Sequence, residues 1–127
     1  MEYIWLVTLL AAVQCVVFGA LTGAARAKGG VQAPAISGDE LFERRFRVHY
    51  NTLEQLVGFL PGLWAFAMFI SEQIAAIIGV VYLVGRIVYF MQYTKDPASR
   101  APGFVLTALS VLVLLLGGII GVVMQLF

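Results

Sequence analysis

The sequence predicts an all-α integral membrane protein in which four transmembrane helices form one bundle and a single domain. Hydrophobic residues make up 61% of its 127 residues, and the mean hydropathy of +0.95 is far above that of a soluble domain. A bilayer core of about 30 Å requires roughly 20 apolar residues in a helix. Four such runs are present, at residues 4–25, 46–70, 73–93 and 104–127, and they leave almost no chain for a soluble domain.

The first run could be mistaken for a secretory signal, because it ends near the small residues Ala25 and Ala27. However, Glu2 rather than a basic residue precedes it, and its apolar stretch is longer than the roughly 7 to 15 residues of a signal core. We therefore expect residues 4–25 to remain in the chain as the first helix. Cys15, the one cysteine, falls in this helix and is expected to be a small packed residue.

The second run begins in a polar segment, which is unusual for a helix that enters a membrane. Arg47, Asn51 and Glu54 are spaced i, i+4 and i+7, so they form one stripe on a helix, and His49 lies off that stripe. Ionisable groups at such a depth usually mark a functional site. Pro61 predicts a kink further along the same helix. We expect the stripe to bind a ligand.

The third run ends with a second polar stripe. Arg86, Tyr89 and Tyr93 are spaced i, i+3 and i+7, so they also share one helix face. Arg86 and Glu54 are both expected roughly 10 to 12 Å below the same membrane boundary. A lone charge at that depth costs at least about 2.5 kcal/mol on insertion scales. We therefore expect these two residues to form an ion pair, either within one chain or between chains.

The fourth run is uncharged and is expected to be a packing element, because small residues allow helices to approach closely. Its small residues are Gly117, Gly118 and Gly121. Between the runs, residues 28–40 form the one long loop and residues 94–102 a shorter one, and a tight turn is expected at Ser71 and Glu72.

The basic residues predict the orientation of the chain. All eight lie in the first and third loops or at the helix ends beside them: Arg26, Lys28, Arg44, Arg45, Arg47, Arg86, Lys95 and Arg100. With four spans, these two loops share one side of the membrane. Because Lys and Arg mark cytoplasmic loops, we expect both polar stripes on the cytoplasmic side and both termini outside. The short termini carry no sorting signal, which favours a bacterial inner membrane.

Structural roles are open for several of these residues. Arg44 and Arg45 are expected to extend to lipid head groups, and the two tyrosines of the third helix could be aromatic residues of the membrane interface. The stripe of the second helix could hold helices together, but packing alone does not require a cation, an amide and a carboxylate in line. Nucleic-acid binding is disfavoured because acidic residues are interleaved with the basic ones. No metal is predicted, because one His and one carboxylate are too few ligands.

Taken together, the two stripes resemble the motifs of the MAPEG family, the membrane-associated proteins in eicosanoid and glutathione metabolism. The family motif Glu-Arg-x-x-Arg-x-x-x-Asn-x-x-Glu is matched by Glu43, Arg44, Arg47, Asn51 and Glu54. A second motif, Arg-x-x-Tyr-x-x-x-Tyr followed seven residues later by Arg, is matched by Arg86, Tyr89, Tyr93 and Arg100. The resemblance covers essentially the whole chain, including the number of spans.

This resemblance implies a homotrimer that binds glutathione between neighbouring subunits near the cytosolic side. The residues expected to hold glutathione are Arg47, His49, Asn51, Glu54, Arg86, Tyr89 and Tyr93, with Arg26 as a further candidate. Arg100 matches the arginine credited with stabilising the thiolate and would be the catalytic residue. The charges agree, because glutathione carries two carboxylates and one ammonium, and the set offers three arginines beside one glutamate.

The implied activity is that of a membrane glutathione transferase, with peroxidase activity as a further expectation. The glutathione thiolate would attack a lipophilic electrophile or a lipid peroxide dissolved in the bilayer. The alternative is a non-catalytic lipid-binding or scaffold protein of the same fold. Arg100 beside an intact tyrosine pair favours the enzyme, because a scaffold does not require an arginine that activates a thiol.

Two positions depart from the family pattern. Gln55 stands where some members have Tyr directly after the motif glutamate, and Arg26 is followed by Ala27 where some members have paired arginines. The first departure predicts that one contact with glutathione is altered or lost. The second weakens the case for a general acid at this position and for leukotriene chemistry.

Overall fold

The computed structural model describes residues 1–127 and consists of four long α-helices. These are α1 (Glu2–Gly29), α2 (Glu40–Phe69), α3 (Glu72–Lys95) and α4 (Ala101–Leu126), with one turn of 3-10 helix at Pro97–Ser99 between α3 and α4. Each of the four helices is long and apolar enough to cross a membrane. The prediction of an all-α fold with four helices of membrane-spanning length is confirmed.

Polar residues cap two of the helices and set where they begin. Asp39 accepts a hydrogen bond from the backbone N–H of Phe42 at 3.0 Å, so α2 begins well before residue 46. Ser71 accepts a hydrogen bond from the backbone N–H of Ile74 at 3.2 Å, so α3 starts almost directly after α2 ends. The tight turn predicted at Ser71 is confirmed, and α2 begins before its apolar run because its first turns are polar and capped.

α2 and α4 cross at positions where only glycine fits. A Cβ atom placed on Gly118 would lie 2.9 Å from the Cβ of Ala65, and one placed on Gly121 would lie 2.7 Å from the Cβ of Phe69. The predicted close packing of α4 is therefore confirmed. α2 remains helical through Pro61, so the proline does not divide it into two helices.

The two ends of the bundle differ in character. The end that contains the α2–α3 turn holds the main apolar core, in which the rings of Phe59 and Tyr82 stack with their centroids 3.7 Å apart. The opposite end contains the α1–α2 and α3–α4 connections and has only small apolar clusters, one of them formed by Phe18, Val48 and Tyr89. The polar stripes of α2 and α3 lie at this second end.

Candidate ligand-binding site

An open cavity of about 750 Å³ lies between α2, α3 and the start of α4, at the polar end of the bundle. Its polar lining comes from residues of the two stripes and from the α3–α4 connection, and the rest of its lining is apolar. The lining residues are Arg47, Asn51, Tyr89, Tyr93, Ala98, Arg100, Ala101, Phe104 and Val105. Two arginines and no carboxylate line this space, so it favours an anionic ligand.

α2 and α3 supply most of the polar lining because their predicted stripes face the same space. Arg47 and Asn51 are one helical turn apart on α2, and the rings of Tyr89 and Tyr93 on α3 lie with their centroids 5.5 Å apart. The Arg47 side chain is exposed in the subunit. The packing of α2 against α3 therefore brings residues from both sequence motifs to one site.

The start of α4 closes a third side of the cavity. A Cβ atom placed on Gly103 would lie 2.6 Å from the Cα of Tyr89, so α4 passes directly against the α3 backbone at this point. The ring of Phe104 consequently lies 6.3 Å from the ring of Tyr89. Arg100, which precedes α4, is exposed and donates a hydrogen bond from Nη1 to the carbonyl oxygen of Pro97 at 2.9 Å. This bond holds its guanidinium beside the cavity.

Arg86 lies beneath the cavity rather than in it. Its side chain is fully buried, and it donates from Nη1 to Asn51 Oδ1 at 2.8 Å and to Thr52 Oγ1 at 3.3 Å, and from Nη2 to Thr107 Oγ1 at 3.2 Å. Its guanidinium carbon lies 4.3 Å from the centroid of the Tyr89 ring. Arg86 thus connects α2, α3 and α4 below the site.

The predicted ion pair between Glu54 and Arg86 is wrong. Glu54 is exposed on α2 and does not line the cavity, whereas Arg86 is enclosed by its own subunit and bonds only to neutral oxygens. Full enclosure also leaves no route to a glutamate of another chain. Both residues were placed at one depth from the sequence, but depth does not fix how each helix is rotated about its axis.

Two further predicted residues lie away from the cavity. The His49 imidazole packs against α1, where a Cβ atom on Gly19 would lie 3.0 Å from its Nε2. Arg26 donates from Nη1 to the carbonyl oxygen of Ala35 at 2.7 Å, and its guanidinium lies 4.4 Å from the ring centroid of Phe42. Within one subunit, neither side chain reaches the space lined by Arg47.

The interpretation of Arg44 and Arg45 as residues that extend to lipid head groups is corrected by their contacts. Arg44 forms an ion pair with Glu40 and donates to the carbonyl oxygens of Thr94 at 3.1 Å and Lys95 at 2.9 Å. Arg45 donates to the carbonyl oxygen of a residue on α1, Leu21, at 2.9 Å. Arg44 thus binds the last carbonyl groups of α3, which otherwise lack a donor, and Arg45 binds the main chain of α1 within the helix.

Sequence reasoning missed the residues that complete the site around the motifs. Thr52 and Thr107 hold Arg86. Thr107 is a polar residue in an otherwise apolar stretch, which is a signal that could have identified it, whereas Thr52 directly follows Asn51 in a segment that is already polar. The apolar lining residues Ala98, Ala101, Phe104 and Val105 carry no such signal, because their type is common throughout the chain. No three His, Cys, Asp or Glu residues lie together as metal ligands.

Comparison with known proteins agrees with these motifs. The model of the MAPEG family matches residues 4–120. An uncharacterized protein of Synechocystis sp. is 47% identical over 127 residues, which cover 98% of this chain and 93% of that protein. Microsomal glutathione S-transferase 2 of Homo sapiens is 34% identical over 116 residues, which cover 91% of this chain and 79% of the relative. Leukotriene C4 synthase of Rattus norvegicus is 36% identical over 94 residues, 74% of this chain and 63% of that enzyme.

Proposed function

This chain belongs to the MAPEG family, and from that premise we propose that it is a membrane glutathione transferase that activates the thiol of glutathione in the cavity lined by Arg47 and Arg100. The observation that supports this most strongly is the lining itself, which combines two arginines, an amide and two tyrosines with no carboxylate. Relatives include a protein named as a glutathione S-transferase. The alternative is a non-catalytic lipid-binding or scaffold protein of the same fold, which would not ionise a thiol.

The charges of the cavity suit the two carboxylates of glutathione. Guanidinium groups bind carboxylates through paired, charge-assisted hydrogen bonds, and Arg47 is exposed and makes no hydrogen bond within its own subunit. Asn51 and the two tyrosine hydroxyls supply further partners for the peptide groups of the ligand. A tripeptide with two carboxylates would therefore be bound more tightly than a neutral one of the same size.

Arg100 is the residue that we propose as catalytic. A thiol with a pKa of about 8.5 is only a few per cent ionised at pH 7, and a nearby guanidinium stabilises the thiolate. Arg100 is exposed beside the cavity and bonds the chain through one nitrogen only, so its other donors can face the sulfur. The thiolate would then form a bond from sulfur to an electrophilic carbon of a lipophilic acceptor, and the leaving group would depart with the bonding electron pair. Peroxidase activity would use the same thiolate: its sulfur would attack the O–O bond of a lipid peroxide and release the lipid alkoxide, which takes up a proton, and a second glutathione would convert the resulting sulfenic acid into the disulfide and water.

The exposure of Glu54 supports assembly into a homotrimer. Glu54 is eight residues inside the apolar run that starts at residue 46, which is about 12 Å along a helix, and its side chain is exposed in the single subunit. A carboxylate that faces lipid at this depth is costly, so we infer that a neighbouring copy covers it. Arg26 and His49 do not line the cavity of a single chain, and we propose, as the family resemblance implies, that they contribute to the ligand site of a neighbouring copy.

The distribution of basic residues supports one orientation. The cavity lies at the end of the bundle that carries the α1–α2 and α3–α4 connections, where Lys and Arg are concentrated. By the positive-inside rule, this end faces the cytoplasm, so the cavity would take up glutathione from the cytoplasm. We propose a bacterial inner membrane as the location.

Calorimetric titration of the detergent-purified protein with glutathione tests this function. We expect saturable binding, weaker binding of the glutathione diethyl ester because its carboxylates are neutral, and a loss of about tenfold or more in Arg47→Ala. Lys95→Ala is the matched control, because Lys95 is exposed at the same end of the bundle and does not line the cavity. If glutathione and its diester bind equally, or if neither binds, the proposed function is wrong.

A further inference from the structure

Arg86 determines which way the side-chain amide of Asn51 points. A guanidinium has only donors and no acceptor, so the atom that Arg86 Nη1 contacts at 2.8 Å must be the amide oxygen of Asn51. The NH₂ group of Asn51 then points away from Arg86. Because Asn51 also lines the cavity, this NH₂ group is the part of the amide that is left for a ligand.

The same guanidinium also supports two other walls of the cavity. It lies against the ring of Tyr89, with 4.3 Å between the guanidinium carbon and the ring centroid. It also donates to Thr107 Oγ1 at 3.2 Å, and the Thr107 hydroxyl in turn donates to the carbonyl oxygen of Phe104 at 3.0 Å. Asn51, Tyr89 and Phe104 all line the cavity. One buried side chain therefore contacts a lining residue on α2 and one on α3, and it is joined through Thr107 to the turn of α4 that carries Phe104.

Arg86 has no carboxylate partner in its subunit. Its three acceptors are the neutral oxygens of Asn51, Thr52 and Thr107, and its side chain is fully buried. A buried cation without an anion costs free energy, and its field acts over the short distance to the cavity because the surroundings have a low dielectric constant. An anionic group on a ligand beside Asn51 would supply the missing negative charge.

We propose that Arg86 is a positioning residue that fixes the Asn51 amide as a hydrogen-bond donor, so that this part of the cavity accepts a carboxylate or carbonyl oxygen and excludes an ammonium group. This proposal depends on the proposed function in one respect only, namely that the ligand is glutathione. Arg86 itself does not touch the ligand. It acts through the orientation of Asn51 and through its buried charge.

The first part of the test compares affinity with stability. Glutathione affinity, by calorimetry, and thermal unfolding temperature, by scanning fluorimetry, are measured for the wild type, Arg86→Met, Arg86→Lys and Asn51→Asp. Met has a similar length without charge, and an apolar replacement of a buried charge is often tolerated. We expect Arg86→Met to lose glutathione affinity by about tenfold or more. This loss should be seen at a temperature at which the variant is still fully folded. Arg86→Lys should restore part of the affinity, because it restores the charge and one donor.

Asn51→Asp carries the test if Arg86→Met does not fold. One carboxylate oxygen of Asp would keep the contact with Arg86, and the other would replace the donor that faces the ligand. We expect this variant to unfold at or above the wild-type temperature and to lose glutathione affinity by about tenfold or more. Wild-type affinity in Arg86→Met or in Asn51→Asp would overturn the proposal.

A ligand-free comparison separates this proposal from the proposed function. If the wild type does not bind glutathione, the proposed function is wrong. The contact between Arg86 and the Asn51 amide is then tested by unfolding temperature alone. Asn51→Asp should be more stable than Asn51→Leu, and this difference should disappear or reverse when each change is made in an Arg86→Met background, where no cation is left to pair with the carboxylate. Equal stability of the two Asn51 variants in the wild-type background would show that Arg86 does not hold this side chain.

Discussion

Arg86 and Glu54 have opposite surroundings although they lie at a similar depth in the bundle. The arginine is fully buried and bonded to oxygens from α2 and α4, whereas the glutamate faces outward from α2. A charge that is bonded to neutral oxygens is stable only while those oxygens stay in place. The charge of Arg86 is therefore stabilised by partners within its own chain. The charge of Glu54 has no such partner, and a ligand or a second copy would have to stabilise it.

Thr107→Val tests the contact between Arg86 and α4. Valine has a similar shape but no hydroxyl, so Nη2 of Arg86 would lose the acceptor that lies at 3.2 Å. An unsatisfied buried donor costs about 1 to 3 kcal/mol, and we expect a lower unfolding temperature. Ser110→Ala is the control, because the hydroxyl of this buried serine donates only to the carbonyl oxygen of Leu106 in its own helix. Equal unfolding temperatures for the two variants would contradict the role given to Thr107.

Glu54→Gln tests whether this carboxylate holds the ammonium group of glutathione. The variant keeps the shape and removes the charge, so we expect lower affinity for glutathione, with unchanged or higher stability in the absence of ligand because a carboxylate is costly in the membrane region. Deaminated glutathione serves as the matched ligand. The wild type should prefer glutathione to the deaminated form, and Glu54→Gln should lose that preference. If the preference persists in the variant, another group binds the ammonium.

At the scale of helices, the contact between α3 and α4 places the third wall of the cavity. Gly103 allows α4 to pass against the backbone of Tyr89, and a Cβ atom there would lie 2.6 Å from the Tyr89 Cα. Because the obstacle is backbone and not a flexible side chain, neither helix can make room by a rotamer change. The positions of Phe104 and Arg100 follow from this contact, since both are next to it in the chain.

Gly103→Ala should therefore destabilise the protein and weaken its ligand binding together. Overpacking typically costs about 1 to 3 kcal/mol, and the shift of α4 would also move the lining of the cavity. Gly23→Ala is the matched control, because a Cβ atom on Gly23 of α1 would meet nothing within 4 Å in the subunit. There, alanine should be neutral or slightly favourable in a helix. Thermal unfolding and glutathione titration of both variants provide the measurement, and a stable, fully binding Gly103→Ala would contradict the packing described.

The helices and their order could be predicted from sequence because the length of an apolar run and the position of polar residues fix the spans and their depths. The rotation of each helix about its axis could not be predicted from sequence, because it depends on how side chains from different helices fit together. Arg47, Asn51, Tyr89 and Tyr93 were correctly grouped since their spacing defines a face. The pairing of Arg86 was missed because its three acceptors are on α2 and α4 and carry no charge that would have indicated them.

At the scale of the whole molecule, a single chain exposes a large apolar surface, which is unfavourable in water. It also exposes the carboxylate of Glu54, which is unfavourable in lipid. Val16, Val57 and Met124 are each at least 70% exposed, as expected for helices that face lipid or another copy. Glu54, on the same α2 surface region as Asn51, is a poor neighbour for lipid. The proposed assembly would account for both features, because a neighbouring copy would cover Glu54 and an apolar perimeter would stay in contact with the bilayer.

Native mass spectrometry of the protein released from mild detergent tests this assembly. We expect a complex of three chains, and we expect glutathione to bind to the complex and not to dissociated single chains, because each site would need groups from two copies. A single chain that binds glutathione with full affinity would show that the cavity of one subunit is sufficient. In that case Arg26 and His49 would have no role in the site.

Ionisation of the glutathione thiol in this cavity is measured directly by the ultraviolet absorbance of the thiolate. Purified wild-type protein titrated with glutathione at neutral pH should show a saturable rise in thiolate absorbance, and Lys95→Ala should show the same. Arg100→Ala should still bind glutathione but produce little thiolate, because the guanidinium that stabilises the sulfur anion is gone. Undiminished thiolate formation in Arg100→Ala would show that Arg100 does not activate the thiol. Binding of glutathione to the wild type without any thiolate would contradict thiol activation in this cavity and favour a carrier over an enzyme.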